Sequence, residues 1–123
     1  VAYSQEVLDY LHDANLIVTV SDNSWFGRSI ALEQQLQMTM MRSLETGRYS
    51  LAAVNTGISA IISPHGRIIK ASKINKRQVL TASVYPMTGE TPLMRWGYWP
   101  VWILCLILLS FGLFRQLRPN DDD

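Results

Sequence analysis

The apolar positions change period along the chain, and the changes outline an α/β arrangement. Residues 4–12 put Val7, Leu8 and Leu11 on one side of a short helix that Ser4 can cap, with Asp13-Ala14-Asn15 as the turn after it. Residues 16–20 (LIVTV) are an unbroken run of β-formers and predict a strand covered on both faces. Residues 29–46 predict the longest soluble helix, with Ser29 as N-cap and Gly47 as the left-handed residue that ends it. Its apolar stripe is expected at Leu36, Met40 and Leu44, widened by Ile30 and Met41, with the methionines as core filler.

Further on, residues 50–55 and 58–63 predict strands, separated or bulged at Thr56-Gly57. Pro64-His65-Gly66 predicts a turn, so residues 58–63 and 67–70 should form a hairpin. Residues 78–84 alternate and predict another strand with one wetter face. Residues 85–97 hold Pro86, Gly89, Pro92 and Gly97 and predict an irregular connection.

The pattern then turns apolar all round. Residues 98–114 carry no charge and would span about 26 Å as a helix, a little under a hydrocarbon core of ~30 Å. Trp96, Trp99 and Trp102 suit the headgroup boundary, and Arg115 can snorkel. A transmembrane helix is therefore expected. Arg115 and Arg118 follow it, and only Arg95 lies close on the other side. The excess of positive charge favours a cytoplasmic tail at 115–123 and a globular part, residues 1–97, outside the cytoplasm. Such placement needs a signal or earlier membrane helices, and the first Met is Met38. Val1 thus reads as an internal or processed position, and a preceding N-terminal portion is expected.

Composition narrows the chemistry. A net charge of +1 makes no electrostatic case for nucleic acid, and Lys70, Lys73, Lys76 and Arg77 read as a solvated face. The single cysteine, Cys105, falls inside the membrane segment, where a thiolate is costly, so it reads as packing. His12 reads as a helix-end residue and His65 as a turn residue. Neither stands in a cluster with metal-ligand spacing, so no metal or cofactor is expected. The serines lack a nucleophile elbow and a His–Asp pair.

Three groups remain as site candidates. Ser21-Asp22-Asn23-Ser24-Trp25-Phe26-Gly27 puts two aromatics in a polar loop behind a core strand, where α/β proteins build sites. Trp25 and Phe26 either plug the top of the sheet or line an apolar channel, for which an acyl chain is a sensible occupant beside a membrane. Arg42 and Glu45 either form a surface ion pair or anchor strand ends near a site. Asn55 could point its amide into a strand-end site, and Gly57 serves backbone geometry.

These segments in this order resemble the C-terminal part of the apolipoprotein N-acyltransferases. The resemblance rests on SDNSWFG after an apolar strand, MRSLETGR at a helix end, NTGISAIISPHGRI, and TGETPLMRWGYWP before a last membrane helix, and it covers essentially the whole chain. It implies the second half of a nitrilase-like α-β-β-α sandwich, in the periplasm, plus one transmembrane helix of the bacterial inner membrane. It implies transfer of an acyl chain from a phospholipid donor to the N-terminal cysteine amine of a diacylglyceryl lipoprotein acceptor. That chemistry runs through a Cys thioester with a Glu base and a Lys for the oxyanion.

None of those three catalytic positions is matched here. The nucleophile is expected a few residues upstream of Val1, so this chain alone is expected to be inactive. The residues that do match are Trp25, Phe26, Gly27, Arg42, Glu45, Arg48, Asn55 and Gly57. One departure is the order Asp22-Asn23, where the family usually reads Asn-Asp, which shifts a carboxylate to the other side of an extended backbone. The alternative reading is a non-enzymatic, membrane-tethered interaction domain or a decayed gene product.

Overall fold

The computed structural model of the chain describes residues 4–11, 13–27, 29–74 and 76–116, with side chains at all of these except Ser4, Gln5 and Phe26. The expectations for His12, Arg118 and most of the tail fall outside the described residues. The element order is α1 (Ser4–Tyr10), β1 (Leu16–Ser21), a 3-10 turn (Ser24–Phe26), α2 (Ala31–Thr46), β2 (Tyr49–Val54), β3 (Ala60–Ile62), β4 (Ile68–Ala71), α3 (Pro92–Trp96) and α4 (Trp99–Gln116). The four strands form one mixed sheet in the order β1-β2-β3-β4.

β1 and β2 are parallel, with Leu16 opposite Tyr49 and Ser21 opposite Val54, and α2 is the crossover between them. α2 therefore runs back along the sheet. Its start lies near the carboxyl ends of β1 and β2, and its end lies near their amino ends. β2, β3 and β4 continue antiparallel, as the turn at Pro64-His65-Gly66 requires, with a bulge at Ile61/Ile62. A Cβ at Gly66 would stand 3.1 Å from the Met40 carbonyl oxygen, so only glycine lets this turn sit on α2.

The buried face of α2 is not the expected stripe. Leu32, Thr39, Ser43 and Thr46 are buried, Leu36 and Met40 are half-buried, and Ile30, Met38, Met41 and Leu44 are exposed. The sheet beneath the helix explains this. It offers the small residues Ser50, Ala52 and Ala60, with Ile62 filling one end, so a helix face of short side chains can approach closely. Each buried hydroxyl has a partner, which removes the cost of burying it. Thr39 Oγ1 donates to the Gln35 carbonyl at 3.0 Å and Thr46 Oγ1 to the Arg42 carbonyl at 2.7 Å. Ser43 and Ser50 join helix to strand at 2.6 Å.

Four further expectations need correction. Ser29 does not cap α2: Ile30 holds the cap position with helical dihedrals and no side-chain cap bond. The other end is as expected, with Gly47 left-handed at φ 62°. Among the described residues β1 is covered on one face. Ile17 and Thr19 turn toward α2, whereas Val18 and Val20 on the opposite face are 62% and 79% exposed.

Residues 78–84 form no strand. They run irregularly, tied to the hairpin through Lys70 Nζ on the Thr81 carbonyl and the Lys73 N–H on Gln78 Oε1. Among the described residues the outer edge of β4 stays unpaired beside them, so alternation by itself did not suffice to add a strand. Finally, the connection at 85–97 contains α3, which Thr91 caps by accepting from the Met94 N–H at 3.2 Å, with Pro92 at the first position.

α4 is the expected long apolar helix, shifted slightly toward the C-terminus. It has 18 residues and a mean hydropathy of 1.5, and it is fully exposed along its length. The fold is thus mixed α/β, with one helix among the described residues long and apolar enough to cross a membrane.

Candidate functional site

The carboxyl ends of β1 and β2 lie side by side, and the two loops leaving them are stitched together. The Asn55 N–H donates to the Ser21 carbonyl at 3.3 Å. Asn55 Oδ1 accepts from the Asn23 N–H at 3.2 Å. Asn23 is 3% exposed, and its Oδ1 accepts from Ser21 Oγ at 2.8 Å. Asn23 therefore folds inward and holds the loop to its own strand.

Asp22 turns outward and starts the 3-10 turn, its Oδ1 accepting from the Ser24 N–H at 2.9 Å. That backbone hydrogen bond, with smaller help from the Ser24 hydroxyl and the Asn55 amide, holds the Asp22 carboxyl below its ordinary value of 3.8. The Asp22-Asn23 order thus has a local meaning: the carboxylate caps and the amide plugs. Asn23 is a site-shaping residue that reading the sequence passed over. Its signal was the run of small polar residues behind a core strand.

Gly57 closes the same corner. Its φ is +130°, and a Cβ there would come within 3.3 Å of Leu32 Cδ2 and 3.6 Å of Asn23 Nδ2. Gly27, at φ +55°, ends the turn with open space around it. On the same loop Trp25 stands out of the fold, 82% exposed, and Asn55 on the adjoining loop is exposed as well. Among the described residues Trp25 covers no core. The Phe26 side chain falls outside the described residues.

Arg42, Glu45 and Arg48 gather at the opposite end of the sheet. α2 separates the two groups by up to about 24 Å, the length of a helix of 16 residues. Arg42 Nη1 is 2.8 Å from Glu45 Oε2, and Nη2 donates to Oε1 at 3.1 Å, both side chains being largely covered. Arg48 is 3% exposed. Its Nε donates to the Ala14 carbonyl at 2.8 Å and its Nη2 to the Gly89 carbonyl at 2.7 Å. Thr91 Oγ1 donates to the Glu45 carbonyl. The guanidinium also sits at the C-terminal end of α2, where positive charge suits the helix dipole. The sequence-matched residues therefore form two groups: Trp25, Gly27, Asn55 and Gly57 at one end, and Arg42, Glu45 and Arg48 at the other.

No group of three His, Cys, Asp or Glu side chains able to hold a metal occurs among the described residues. Cys105 lies exposed on α4, and His65 lies exposed in the hairpin turn. What the first end can do chemically is present an aromatic surface and an amide beside the strand ends.

Residues 5–92 match the carbon-nitrogen hydrolase family. The chain is 52% identical over 113 residues to the apolipoprotein N-acyltransferase of Coxiella burnetii, covering 90% of this chain and 23% of that protein. It is 43% identical over 103 residues to the one from Azotobacter vinelandii, covering 84% of this chain and 20% of that protein. Against the one from Pseudomonas aeruginosa strain LESB58 it is 38% identical over 122 residues, covering 98% and 24%. The chain thus spans about a fifth to a quarter of the length of the curated relatives it matches.

Proposed function

The chain belongs to the carbon–nitrogen hydrolase family, and from that premise we propose that it is the C-terminal part of an apolipoprotein N-acyltransferase of the bacterial inner membrane. In this reading a phospholipid supplies the acyl chain and the N-terminal cysteine amine of a diacylglyceryl lipoprotein receives it. A Cys thiolate attacks the phospholipid ester and releases the lysophospholipid. The lipoprotein amine then attacks the thioester and frees the thiol. The thiol, its Glu base and the oxyanion-binding Lys come from the part of the protein outside this chain, and the chain alone carries no transfer. The globular part lies in the periplasm and α4 crosses the bilayer with its C-terminus in the cytoplasm, which the excess of Arg after α4 supports.

The observation that carries this reading is Trp25. An indole 82% exposed, held on a loop stitched to the ends of two core strands, is an apolar wall left open among the described residues. Trp25, Phe26 and Gly27, with Asn55 at the edge, line the path of the acyl chain, and Gly57 supports them. Val18 and Val20 give a second support. Their exposed face is where the N-terminal remainder of the same protein packs.

The test is acyl transfer by the full-length protein in phospholipid vesicles. Trp25→Ala is expected to lower transfer at least tenfold, about 1.4 kcal/mol of lost transition-state binding. It should change unfolding stability by no more than about 0.5 kcal/mol, as for an exposed side chain. Equal loss of fold and activity would assign Trp25 to packing instead.

A further inference from the structure

The connection between the sheet and α4 is held far more tightly than a tether needs. α3 and α4 are joined by Gly97 and Tyr98 alone, so the end of α3 lies within about 11 Å of the start of α4. The headgroup layer is about 5–8 Å thick on each side of the hydrocarbon core. An α4 that spans the bilayer therefore holds the end of α3 in the headgroup layer or a few ångströms outside it. The side chains there suit that depth: Trp96 and Trp99 are 61% and 72% exposed, and Arg95 beside them is exposed as well.

The same corner is fastened to the globular part from the other side. Arg48 reaches the Ala14 carbonyl before β1 and the Gly89 carbonyl before α3 with one guanidinium. Thr91 caps α3 and donates to the Glu45 carbonyl in the last turn of α2. Two side chains thus join β1, α2, β2 and α3 at one point.

We propose that Arg48 and Thr91 are positioning residues that lock α3, as an anchor among lipid headgroups, to the C-terminal end of α2, so that insertion of α4 sets the orientation of the sheet on the bilayer. The proposal rests on the reading of α4 as a membrane span. It gives Arg48 a role without contact to any reacting atom. A fixed orientation holds the sheet and its strand-end loop at one angle to the lipid surface, which a flexible linker could not do.

The test uses the full-length protein in nanodiscs of phosphatidylethanolamine and phosphatidylglycerol. Nitroxides are placed at Gln37 on α2 and Leu108 on α4 through unnatural amino acids, which leaves every cysteine untouched. Electron–electron double resonance then reads the distance between them. A single narrow distribution is expected for the unaltered protein. Thr91→Ala and Arg48→Met should each roughly double its width, because the corner then opens locally. Thr91→Ser, which keeps the hydroxyl, should restore the narrow distribution.

A broad distribution in the unaltered protein, or an unchanged width in a folded Thr91→Ala variant, overturns the proposal while the membrane reading stands. Accessibility of the Leu108 label to a water-soluble relaxation agent removes both. Arg48→Met can fail to fold, and the Thr91 pair then decides alone.

Discussion

The two ends of the β1–α2–β2 unit are built in opposite ways. At the amino ends of the strands a guanidinium is 3% exposed and donates to two carbonyls from distant parts of the chain. At the carboxyl ends the hydrogen bonds run between neighbouring loops and serve to aim an indole into the open. The first end fixes where segments meet, and the second presents a surface. The same motif-matched residue types, charged at one end and aromatic with amide at the other, do unlike work because one set is enclosed and the other is not. A match to a family pattern therefore does not by itself say that a residue lies near the chemistry.

The strongest way to break this comparison is Arg48→Ala. It removes two charge-assisted hydrogen bonds and empties a buried site, and it is expected to cost about 2–4 kcal/mol in urea unfolding of the full-length protein. A cost below about 1 kcal/mol would mean that the enclosed end is no more fixed than the open one.

Next is the Ser43–Ser50 pair, which joins α2 to β2 at 2.6 Å. Either single change to alanine should cost about 1–3 kcal/mol, since the other hydroxyl is left buried without its partner. The double change should cost clearly less than the sum, and a double-mutant cycle measures this. At the open end Asn23→Ala should cost about 1–2 kcal/mol, felt as faster hydrogen exchange in the two strand-end loops and not across the sheet.

The smallest effect is that of acid on the turn at Asp22. Its folded pKa is lowered, so the turn is supported above the ordinary value of 3.8 and loses that support as pH falls through the lower folded value. The Ser24 amide proton resonance should titrate with a midpoint below 3.8. Asp22→Asn should abolish that titration. A midpoint at or above 3.8 would remove the cap.

Much of this molecule was legible because some signals are local. Gly47 after a periodic run, the Pro64-His65-Gly66 turn and the uncharged stretch that becomes α4 each depend on neighbours within a few residues, and each stands where expected. Thr91-Pro92 was equally local, a cap followed by proline, and was hidden only by the glycines and prolines around it. The face that α2 buries was not local. Hydropathy favours Met41 and Leu44, yet the helix buries Thr39, Ser43 and Thr46, because the strands beneath it are lined with serine and alanine.

The site divides in the same way. Composition and spacing alone marked the aromatic loop, the Arg42–Glu45 spacing and the Asn55–Gly57 corner. Nothing in the spacing could say that Asn23 packs inward, or that Arg48 reaches residues 34 and 41 positions away.

The sequence by itself determined most of the element types, the turns, the membrane-length helix and the family, since these follow from short-range periodicity, backbone preference and ordered motifs. Only the tertiary structure decided which helix face is buried, that residues 78–84 stay outside the sheet, and that the matched residues part into two groups at opposite ends of α2. Those outcomes depend on which surfaces meet, and hydrogen bonding and close packing between segments far apart in the chain set that.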